Sequence, residues 1–172
     1  MASLMENLMD VLEKECIAYE ELLGLSMQKT PVIVAGNLEE LTRITDEEQL
    51  VVGRINRLEK DRMQTMKDIA NVMNKDVNNL KLVNLIQMLE GRPQESKRLS
   101  QIHDDLKRVT TNMQRVNEQN RELLANALEM VEFDINLLQA VKKAPETANY
   151  TKGAYTSGSA VGVAARGFDA KQ

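Results

Sequence analysis

At 172 residues the chain has room for one domain, or for one elongated bundle and a tail. A net charge of -4 with 28 % charged residues argues against a general nucleic-acid binder, which needs a cationic surface to release counterions. Cys16 is the only cysteine, so neither an intrachain disulfide nor a thiolate metal cluster is available, which suits a reducing cytosol.

Met1 to Asp10 carries no basic region followed by an apolar run, and no stretch reaches the ~18 apolar residues of a membrane span. Neither a signal peptide nor membrane insertion is expected. Three prolines, Pro31, Pro93 and Pro145, fall at breaks in the apolar pattern and divide the chain into sections.

From Ser3 to about Lys29, Met5, Leu8, Leu12, Tyr19 and Leu22 recur at three- and four-residue steps, the spacing of an amphipathic helix. Thr30 and Pro31 offer a cap and a first-turn proline. The run Val32 to Ala35 therefore reads either as one helical turn or as the start of the next helix. After Gly36, Asn37 and Glu40 have the spacing of a capping box. A second long helix is predicted from there to about Asn74, with Leu38, Leu41, Ile44, Val51, Val52, Ile55, Leu58, Met66, Ile69 and Met73 on its inner face. Leu80 to Leu89 reads as a short helix apolar on most sides, hence buried on most sides, ending at Gly91.

The longest element is predicted from about Pro93 to Lys143. Leu99, Ile102, Leu106, Val109, Met113 and Val116 mark a narrow coiled-coil seam. Past Asn120 the phase slides by about one position, and Leu123 to Val141 presents a wider apolar band. Roughly fifty residues at ~1.5 Å each make a helix of ~75 Å, too long to bury its own stripe. Lys97, Arg98, Lys107 and Arg108, interrupted by Asp104 and Asp105, read as a solvated face. Four of the eight glycines lie beyond Pro145 with Ala, Ser and Thr and no Leu, Ile or Met. Such a segment buries too little surface to offset its ordering entropy.

The fold expectation is all-α: an elongated antiparallel bundle of three long helices plus one short helix over residues 1–143, with a flexible C-terminal tail over residues 144–172. Little in it suggests chemistry. His103 is the only histidine and has neither a His at i+4 nor a Glu at i-3, so helical metal-pair spacings are excluded. Cys16 has no neighbouring cation to make a thiolate. Glu13, Glu15, Glu20 and Glu21 form an acidic patch without the glycine-centred loop of a calcium site. No enzyme activity, metal or cofactor is expected. The surplus is apolar helix surface and ten methionines, which serve either as core filler or as an adaptable binding surface.

Leu22-Leu23, then Gly36-Asn37-Leu38-Glu39-Glu40-Leu41, then Glu48, Leu58-Glu59 and Arg62, resembles the FlgN family of flagellar export chaperones. Asn120-Arg121-Glu122-Leu123-Leu124 and the later Tyr150 and Gly153 are similar to that family too. The resemblance covers roughly Leu8 to Gly153. It implies a non-catalytic cytoplasmic chaperone that binds hook-filament junction proteins, keeps them from assembling early and delivers them to the type III export gate. It also implies substrate binding by the C-terminal portion and gate docking by a tyrosine there, Tyr150 or Tyr155. Combined with the apolar stripe, it places client binding at Leu124, Leu128, Val131, Ile135 and Leu138, in a protein that is monomeric or a weak homodimer. The rival expectation is a structural coiled coil that buries the same stripe in a homo-oligomer.

Overall fold

The computed structural model describes residues 2–89 and 91–143. It consists of α1 (Ala2–Ala35), α2 (Leu38–Val72), a single 3-10 turn (Val77–Asn79), α3 (Leu82–Met88) and α4 (Pro93–Lys143), with no strand among the described residues. The chain divides into two units, Met1–Ile135 and Asn136–Gln172. Of the second, only residues 136–143, the end of α4, are described.

Cross-helix bonds fix the directions in the first unit. Asn7 bonds to Thr65, Tyr19 to Glu59, and both Ser26 and Lys29 to Glu48, so α1 and α2 run antiparallel. Arg98 reaches Glu6, Asp10 and Glu13, and Asn120 reaches Ser26 and Thr30, so α4 runs parallel to α1. The path is up, down and up, with α3 inserted before the last ascent.

Two apolar clusters form the core. One joins Leu8 and Leu12 of α1 with Ile69 of α2, Leu85 of α3 and Leu99 and Ile102 of α4. The other joins Ala18, Leu22 and Leu25 with Ile44, Val51, Ile55 and Met113. Aliphatic side chains and methionines carry the packing, since the sequence holds only three Tyr, two Phe and no Trp.

The turns after α1 and α2 are each closed by a left-handed residue. After α1, Gly36 has φ 67°; its N–H donates to the Ile33 carbonyl and that of Asn37 to the Val32 carbonyl. This paired closure uses the conformation that glycine adopts without a Cβ penalty. After α2, Asn74 at φ 52° repeats the pattern, with Lys75 bonding back to Ala70.

Several expectations need correction. Pro31 does not open a helix: α1 runs through it to Ala35. Pro31 and Met27 are both exposed, so the carbonyl one turn back that loses its amide partner is within reach of water. Meanwhile Ile33 is buried and rewards the continuation. Only half of the capping box forms: Asn37 accepts from the Glu40 amide, but the Glu40 carboxylate bonds Arg43 instead. Leu38 and Val52 lie outside the core. In α3 Leu85 is buried while Val83 and Met88 are exposed, so this helix is apolar on most sides but covered on one.

Candidate functional site

The seam of α4 is buried through Leu99, Ile102, Val109, Met113 and Val116 and ends at Asn120. Beyond it Leu123 and Leu124 are half-buried. Leu128 is then 65 % exposed and Ile135 48 %, against 5 % for Val116. Helical rotation keeps Leu124, Leu128, Val131 and Ile135 on the face that Val109 and Met113 bury. The stripe continues; its cover stops.

The reason is length. Partners on α1 and α4 are offset by 88 residues at Asp10–Arg98 and 90 at Thr30–Asn120. At that offset Ala35, the last residue of α1, stands beside the turn of α4 around Ala125. Residues from Asn126 to Ile135 have no α1 residue beside them. Leu138, in the second unit, follows three positions later in the same helix and is itself exposed. Tyr150 and Tyr155 lie outside the described residues.

Asn120 marks the boundary. Its Nδ2 donates to the Ser26 carbonyl and its Oδ1 accepts from the Thr30 hydroxyl. A buried asparagine in an apolar seam fixes register, because only one alignment satisfies it.

Several charged residues of this unit hold helices together. Arg98, expected on a solvated face, instead bonds Glu6, Asp10 and Glu13 on α1. The hydrogen bond from Arg98 holds the Glu13 carboxyl below its ordinary range. Glu15, expected in an acidic patch, is buried at 2 % exposure beside Arg62. Burial pushes its carboxyl up, against the pull of Arg62. The sequence showed neither role, because each depends on which helix lies alongside. Cys16 is half-buried, and burial raises its thiol, with Glu20 acting in the same direction. His103 contacts Asp104 on the flank of α4.

Among the described residues no three His, Cys, Asp or Glu side chains come together as a metal site, and no helix is long and apolar enough to cross a membrane. What the exposed half of α4 offers is burial. Covering one large aliphatic side chain completely contributes about 1.5 to 3 kcal/mol before ordering costs.

The family model described as FlgN protein matches residues 1–158. The chain belongs to the FlgN family. FlgN proteins are flagellar export chaperones, a non-enzymatic family that binds flagellar proteins, and the helical bundle accords with that kind of role. The chain is also similar to the uncharacterised protein YvyG of Bacillus subtilis (strain 168), 29 % identical over 131 residues, covering 76 % of this chain and 78 % of the relative. No solved structure matches.

Proposed function

We propose that this FlgN-family protein is a cytoplasmic export chaperone whose clients are hook-filament junction proteins. It holds them through Leu124, Leu128, Val131 and Ile135, with Leu138 next along the helix. The observation that supports this is the run of bundle-type seam residues left exposed where α4 outlasts α1. An amphipathic client helix laid along the stripe would replace the cover that α1 supplies earlier, in the manner of helix-in-groove recognition.

In this reading the client's own assembly segment is occupied while bound, which prevents premature assembly. The segment after Lys143 carries Tyr150 and Tyr155, one of which docks the loaded chaperone at the export gate.

Calorimetric titration of purified junction proteins into the full-length chain, and into one ending at Lys143, tests the reading. Binding at one-to-one stoichiometry is expected, weakened by at least about tenfold in L128S/I135S, with the helical signal unchanged. Unchanged affinity in that variant would remove the stripe from the site. Absence of binding by any junction protein, together with a tight oligomer that buries Leu128, would replace the chaperone reading with a structural coiled coil.

A further inference from the structure

A groove of about 590 Å³ opens on the first unit, away from the client stripe. α2 supplies Met63 and Met66 to its lining, the 3-10 turn supplies Val77, and the start of α3 supplies Leu82 and Val83. His103 closes it on the α4 side. Met63 and Val83 are exposed, so this apolar surface is open rather than sealed in the core. His103 stands about 30 Å before Leu124 along α4, which separates the groove from the stripe.

The charges around the groove are of one sign. Lys67 of α2 and Lys81, the residue before α3, line it, and no Asp or Glu does. A smaller hollow of about 230 Å³ shares Arg62, Leu82 and His103 with it and adds Lys107. Glu15, the carboxylate in that hollow, is buried beside Arg62. Lys67, Lys81 and Lys107 are exposed and make no ion pair among the described residues. A chain of net charge -4 thus gathers unpaired cations around one apolar groove. The client stripe has the reverse border: between Glu122 and Ile135 the chain carries Glu122, Glu129, Glu132 and Asp134 and no Lys or Arg.

We propose that the groove is a second docking site, for an amphipathic helical segment of a partner protein whose apolar ridge is flanked by Asp or Glu. The ridge covers Met63, Leu82 and Val83, and the flanking carboxylates meet Lys67, Lys81 and Lys107. Charge complementarity selects this occupant. Carboxylates beside an apolar ridge are attracted to the lysines and repelled at the acid-bordered stripe, whereas a basic amphipathic helix has the opposite preference. The two surfaces therefore sort ligands by charge, and the assignment of the groove does not depend on what the stripe binds.

Fluorescence anisotropy with labelled probe peptides and the full-length protein tests this. The probes are two peptides of about eleven residues, three helical turns, with the same leucine ridge flanked by Glu in one and by Lys in the other. The Glu-flanked peptide is expected to bind in a salt-sensitive manner, at least about tenfold more weakly in K67E/K81E and with unchanged affinity in L128S/I135S. Replacing its leucines by serine should abolish binding, because the lysines alone do not hold it. All the substituted positions are exposed, and circular dichroism of each variant checks the fold. The proposal is overturned if the Glu-flanked peptide does not bind, if K67E/K81E leaves its affinity unchanged, or if L128S/I135S abolishes it. It is overturned too if sedimentation shows the protein alone forming an oligomer that K67E/K81E dissolves, since the occupant is then a second copy.

Discussion

The Asn120 side-chain amide donates to the Ser26 carbonyl oxygen at 2.7 Å, across the seam between two parallel helices. It is the last buried position of α4, and the Thr30 hydroxyl, also 2.7 Å away, completes its partners. The fully buried stretch of α4 thus ends on a polar clasp rather than on an apolar side chain.

Removing that clasp takes from the Thr30 hydroxyl its acceptor and from the Ser26 carbonyl its cross-helix donor. Asn120→Ala is expected to lower stability by about 1 to 3 kcal/mol, the cost of unpaired buried groups. Asn120→Leu should cost less, because new burial offsets part of the loss, but should loosen register. Urea unfolding gives the energies, and amide exchange around Ser26 reports the register.

One residue type should behave oppositely along one helix. Leu99→Ala empties a fully buried site and is expected to cost about 2 to 5 kcal/mol. Leu128→Ala changes an exposed site and should stay within about 0.5 kcal/mol of the parent. A large loss at Leu128 in the monomer would show that the distal stripe is already covered.

Two carboxylates give opposite pH dependences. Glu15 is raised by burial above its ordinary 4.5, so its favourable contribution is fully present below that value and is lost as pH rises through the folded-state pKa. Glu13 is depressed by the hydrogen bond from Arg98, so its contribution is present above 4.5 and is lost as pH falls through the folded-state pKa. Urea midpoints from about pH 3 to about pH 7 should lose the first slope in Glu15→Gln and the second in Arg98→Gln.

Gly36 holds the only left-handed glycine conformation among the described residues. A Cβ there meets no neighbour, so the penalty is purely conformational. Gly36→Ala is expected to cost about 1 kcal/mol or slightly more, whereas Gly53→Ala, inside α2 with open space around it, should be neutral or stabilising. Thermal melts of the two variants provide the comparison.

The helices and the identity of the long stripe were determined by local pattern. Seam residues from Leu99 to Val116 repeat at helical steps, and Glu95, Lys142 and Lys143 sit where the helix dipole favours them. The shift of phase after Asn120 even marked where burial ends. Periodicity says which face is apolar; it does not say how far a neighbouring helix reaches. That needed the offset between α1 and α4, which leaves Leu128 and Ile135 uncovered while Val116 is enclosed. For the same reason Glu15 and Arg98 looked like surface charges: a charge becomes buried or shared only when another helix is laid against it, and that alignment is a property of the packed chain.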